Sequence, residues 1–104
     1  MLIRVVPRQQ RAAVQQADDL KRFSVVVVGG ASDEELESAL APLARLESCA
    51  IAWVSIERLR AACGRDDDAA WSRAFDEMVE FAASKGWVDE TGTALRAHLE
   101  YQPA

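Results

Sequence analysis

Phe23-Ser24-Val25-Val26-Val27-Val28 runs directly into Gly29-Gly30-Ala31-Ser32-Asp33-Glu34-Glu35, and the fold turns on how this stretch is read. Four consecutive valines leave no polar alternation, so the run predicts a strand at the centre of a sheet with both faces covered. The glycine pair ends that strand. Ser32 followed three residues later by Glu35 has the spacing of a capping box, so a helix is expected to start at Asp33. Its apolar stripe is Leu36, Ala39, Leu40 and Leu43, and Pro42 interrupts the hydrogen-bond ladder, predicting a bend or break near Ala41. Cys49 to Val54 is the next apolar run. Strand, glycine turn, helix and strand within about 30 residues predict a βαβ unit whose strands are parallel neighbours.

Towards the N-terminus, Leu2 to Val6 is β-prone, and Pro7 closes it as expected of a strand at a sheet edge. The glutamine- and alanine-rich stretch from Arg8 to Lys21 predicts a helix with a weak stripe of Ala13, Val14, Ala17 and Leu20. Towards the C-terminus, Ser55 is placed to cap a short helix bearing Ile56, Leu59, Ala62 and Cys63, stopped by Gly64. Arg65-Asp66-Asp67-Asp68 leads into a longer helix whose Trp71, Phe75, Met78, Val79 and Ala82 recur at helical spacing, closed by Lys85 and Gly86. Leu95, Ala97, Leu99 and Tyr101 alternate with Arg96, His98 and Glu100, the pattern of a half-buried strand, although residues 94–100 also have helical propensity. Trp87-Val88 is expected to join that strand as a hairpin through Asp89-Glu90-Thr91-Gly92. The predicted class is α+β or α/β: a small two-layer mixed sheet of about four strands with helices packed on it, containing one βαβ unit, in a single domain spanning residues 1–104.

Of the 104 residues 50% are hydrophobic and 28% charged, with five glycines and three prolines, the composition of one globular domain rather than a disordered chain. A net charge of −5 repels a phosphate backbone, so nucleic acid is an unfavoured partner. The basic character is confined to residues 1–22, with five basic and two acidic groups. Cys49 and Cys63, each in an apolar setting, read as buried reduced thiols. Without an apolar leader or a run approaching the ~20 residues of a membrane helix, the chain is expected to be soluble and cytoplasmic.

Each candidate site has a functional and a structural reading. Gly29-Gly30-Ala31-Ser32 sits where α/β proteins hold phosphate, but Asp33, Glu34 and Glu35 already load that helix end with negative charge, so a turn and a cap account for it. The single histidine and two separated cysteines supply no metal-ligand spacing, and Asp66-Asp67-Asp68 lacks the oxygen pattern of a calcium loop; neither a metal nor a cofactor is expected. His98 is the only histidine, the residue type most suited to general acid/base work, and Arg96 and Glu100 flank it on the same strand face, so the three form the candidate catalytic set. Solvated polar residues on a half-exposed strand have the same pattern. Trp53 and Trp71 read as core, whereas Trp87, after a helix cap, is the candidate partner-binding residue.

The helix from Ser55 to Gly64, the longer helix to Lys85 and the Trp87–Gly92 hairpin with its following strand resemble the second half of a winged-helix module. That resemblance implies a transcriptional regulator in which the start of the second helix and the wing approach DNA. Those places carry Asp66, Asp67, Asp68, Asp89 and Glu90, so the contacts would have to come from the basic N-terminal segment. The leading expectation is different: a non-catalytic interaction or accessory protein that self-associates as a homodimer. The alternative is a small cofactor-free acid/base enzyme or small-molecule-binding protein, with a cleft between the C-terminal strand and the last helix and His98 as acid/base.

Overall fold

The valine run does occupy the middle of a sheet, but its neighbours differ from those the sequence suggests. The computed structural model describes residues 1–30 and 32–103. The chain forms β1 (Leu2–Val6), a 3-10 turn (Pro7–Gln9), β2 (Arg11–Gln15), β3 (Ser24–Val28), α1 (Asp33–Leu40), β4 (Ala44–Leu46), β5 (Ile51–Ser55), α2 (Ile56–Cys63), α3 (Ala69–Ser84) and β6 (Ala94–Gln102). Among the described residues one mixed six-stranded sheet has the order β2-β1-β3-β6-β5-β4, two strands more than expected.

Three expectations are corrected. Arg8 to Lys21 is not a helix: Gln10 and Gln16 take left-handed backbone (φ 51° and 54°), and β2 lies antiparallel on β1 with Val14 opposite Ile3. Ala12 and Val14 turn inwards while Arg11, Ala13 and Gln15 face out, so strand pairing overrides the high intrinsic helical propensity of alanine and glutamine. β1 is consequently no edge strand, since β2 covers one side and β3 runs parallel on the other. The strand at residues 49–54 is not a parallel neighbour of β3, because β6 inserts between β3 and β5 and pairs antiparallel with β5. The parallel crossover from β3 through α1 ends instead on β4 at the far edge, a strand of three residues that Pro42 and the end of α1 make room for.

The helices start and stop as their caps dictate. Ser32 Oγ accepts from the Glu35 N–H at 3.2 Å, Ser55 Oγ from the Arg58 N–H at 3.2 Å, and Asp68 Oδ1 from the Trp71 N–H at 3.0 Å. Helix α1 ends at Leu40, just before Pro42.

Leu36, Ala39, Leu40, Leu59, Trp71, Phe75 and Ala82 from the three helices meet Ile3, Val5, Val25, Val27, Ala52, Val54, Leu95, Ala97 and Leu99 of the sheet in one core cluster. Helices α1, α2 and α3 therefore lie on one face of the sheet. The valine strand is not covered by a layer on both sides: Val26 and Ile51 are buried on the opposite face, outside that cluster, beside the long polar side chains of neighbouring strands. Among the described residues no helix is long and apolar enough to cross a membrane.

Candidate functional site

Helix α3 closes with a Schellman turn. The Trp87 N–H donates to the Ala82 carbonyl at 2.9 Å and the Gly86 N–H to the Ala83 carbonyl at 3.1 Å, with Gly86 at φ 79°. The chain then reverses onto β6, where the Arg96 N–H donates to the Trp87 carbonyl at 2.8 Å and Val88 bridges Leu95. The hairpin expected at Trp87–Val88 is thus present. Its second strand is not a free wing, because β6 also pairs with β5 and β3 in the interior of the sheet.

Asp89 fixes the turn. Its carboxylate accepts from the Thr93 N–H at 2.9 Å, the Ala94 N–H at 3.1 Å and the Thr91 hydroxyl at 3.0 Å. The backbone N–H of Thr93 foremost, with further help from Thr91 and Ala94, holds this carboxyl below the usual aspartate range.

This geometry leaves Trp87 43% exposed beside Phe81, which is 58% exposed, their rings edge to face with centroids 6.2 Å apart. Lys85 Nζ lies 5.5 Å from the Phe81 ring centroid. The pair borders a cleft of about 610 Å³ whose apolar wall is Leu20, Phe23, Met78, Phe81, Trp87 and Leu95. The cleft opens where β3 and the Trp87–Val88 segment diverge along the edge of β6, and the 18–23 connection forms its second bank. That connection is tethered: Trp71 Nε1 donates to the Ala17 carbonyl at 2.9 Å, Arg65 pairs with Asp18 at 2.8 Å, and the Met1 amine donates to the Arg22 carbonyl at 2.8 Å. Lys21, Arg22, Arg96, Asp18 and Glu77 supply the charges of the lining.

The expected catalytic set is only partly drawn to this place. Arg96, His98 and Glu100 share the helix-free face of β6, across from Trp53, Ile51 and Val26 on the adjoining strands. Arg96 lines the cleft, whereas His98 and Glu100 are exposed on the open face and do not line it. Among the described residues no hydrogen bond or ion pair links the three side chains. Trp87, expected to meet a partner, does border the cleft. The sequence assigns Leu20 to a helix stripe and Phe23 to the valine strand rather than to a cleft, and it gives Phe81 no role, although Phe81 falls off the Trp71-Phe75-Met78-Ala82 stripe of an otherwise amphipathic helix, which is a signal of exposure.

Other candidates settle as structure. Ala31, in the middle of the glycine turn, lies outside the described residues; next to it, Gly30 offers its carbonyl to Arg8 Nε at 3.1 Å. Cys49 is exposed, correcting its assignment to the core, because the 47–50 segment is a loop at the sheet end; the Tyr101 hydroxyl donates to the Cys49 carbonyl there. Cys63 is half-buried, and burial pushes its thiol up. Trp53 is half-buried rather than core, held between Arg45, 5.6 Å from its ring centroid, and Glu47, which accepts its indole N–H at 3.0 Å. A comparison with known proteins finds no matching family model, no matching curated protein and no matching solved structure, so a functional reading rests on the chemistry of the cleft itself.

Proposed function

We propose that this chain is a non-catalytic interaction protein whose recognition surface is the aromatic cleft between α3, Trp87 and the 18–23 connection, and that it self-associates there as a homodimer. The observation that carries this reading is the exposure of Phe81 and Trp87 side by side at the lip of an apolar cleft. Large aromatic rings left in water next to a concavity have the make-up of interface anchors, since burying them removes much apolar area at little cost in rotamer entropy. A two-fold arrangement lets the same patch serve both copies. The helix-free sheet face suits a second copy less well. It carries Arg4, Arg11, Arg45 and Arg96 against Glu100, so stacking two such faces would bring like charges together.

Sedimentation velocity over a concentration series tests the reading. Wild-type chain is expected to shift from monomer to dimer as concentration rises, and the Phe81→Ser/Trp87→Ser double variant to stay monomeric with an unchanged circular dichroism spectrum. A wild-type chain that remains monomeric at high micromolar concentration would overturn it. The acid/base alternative keeps one specific support, a cleft of small-molecule size between the last helix and β6. It lacks His98 in that cleft, which favours binding over catalysis.

A further inference from the structure

We infer that the cleft binds a small amphipathic carboxylate: an aromatic or short aliphatic body seated on Phe81, Trp87 and Met78, with its anionic group held by Arg22 and Arg96. The inference rests on the cleft as recognition surface, the premise of the proposed function, but needs no second copy. Its volume of about 610 Å³ falls within the ~300–1,000 Å³ typical of small-molecule sites. The walls suit the body, since an exposed indole and a phenyl ring inclined at 71° to each other offer both face and edge to an apolar group.

The charges of the lining decide the sign of the ligand. Lys21, Arg22 and Arg96 contribute three cations, and among the described residues none of them is in an ion pair. Of the two carboxylates, Asp18 is engaged by Arg65, a residue outside the lining, at 2.8 Å. Among the described residues Glu77 remains as the one carboxylate of the lining without an ion-pair partner. In a chain of net charge −5, the cleft is therefore a locally basic place with an apolar floor. Arginine next to an apolar wall suits a carboxylate, because its planar fork makes two charge-assisted hydrogen bonds and loses less hydration than an ammonium.

The test uses the full chain and two matched probes, 1-naphthoate and the neutral 1-naphthalenemethanol, titrated calorimetrically at low ionic strength. The carboxylate is expected to bind about tenfold more tightly than the alcohol, a difference that narrows as salt is added. In the Arg22→Gln/Arg96→Gln variant the two probes should bind alike, with the alcohol unaffected; Trp87→Ala should weaken both. Thermal unfolding of each variant reports whether the fold is intact. Equal binding of the two probes by the wild-type chain, no saturable naphthoate binding, or a preference that survives the double arginine substitution would overturn the inference. Sedimentation of the same samples separates the two readings. Because the dimer contact and the ligand both use Phe81 and Trp87, naphthoate is expected to shift a dimer towards monomer; a chain that stays monomeric and binds naphthoate defeats self-association alone, and a chain that dimerises but whose dilute monomer does not bind naphthoate defeats this inference alone.

Discussion

Asp89 shows how one half-buried carboxylate shapes the border of the cleft, since its three accepted hydrogen bonds hold the turn that returns the chain from Trp87 to β6. Its folded-state pKa lies below the ordinary 3.8, so the stabilisation is fully present above that value and is lost as pH falls through the folded pKa. Asp89→Ala is therefore expected to lower the melting temperature at neutral pH, with the gap to wild type closing in acid; a gap independent of pH would contradict this. The cysteines make a second prediction. Cys49 is exposed, whereas Cys63 is half-buried with its thiol pushed up by burial, so an aromatic disulfide reagent near pH 8 should modify Cys49 about tenfold or more faster. Cys49→Ser should abolish the fast phase and Cys63→Ser should leave it unchanged. Neither behaviour was legible in the sequence, where both cysteines sit among apolar residues and only the tertiary position of the 47–50 loop separates them.

At the scale of elements, the sequence was most readable where local chemistry decides. The caps at Ser32, Ser55 and Asp68, the stop at Gly64 and the Schellman close at Gly86 are all backbone problems with side-chain solutions, and each lies where its residues place it. Asp68→Ala is expected to cost about 1 kcal/mol, read by chemical denaturation. Trp71→Phe keeps an aromatic ring against Phe75 but removes the bond to the Ala17 carbonyl, at about 1–2 kcal/mol, and should loosen the 18–23 bank of the cleft. Faster amide exchange over residues 17–23 in that variant would show it. The illegible elements are those made by partners distant in sequence. β2 exists because Val14 and Ala12 pair with Ile3 and Val5, and β4 because Ala44 and Leu46 pair with Val54 and Ala52. The cleft was half legible for the same reason: Trp87 follows a readable cap, but its opposite bank comes from the connection misread as helix.

At the scale of the whole molecule, α1, α2 and α3 share one core with one face of the sheet, in which Phe75 is fully buried, stacked on Trp71 and under the Arg60 guanidinium. Phe75→Ala is expected to cost about 3–5 kcal/mol, whereas Phe81→Ser, on the exposed side of the same helix, should change stability by less than about 0.5 kcal/mol. That contrast separates the residues that hold the fold from those the fold displays. The central claim is that recognition occurs at the aromatic cleft and not at the His98 row of the open sheet face. Amide chemical shifts of labelled protein, followed from dilute to high micromolar concentration, test it directly. The account predicts that the shifts that move cluster at Leu20–Phe23, Met78–Ala82 and Trp87–Val88. Movement confined to His98, Glu100 and Arg4, Arg11 and Arg45 of the open face, or no movement anywhere, would contradict it.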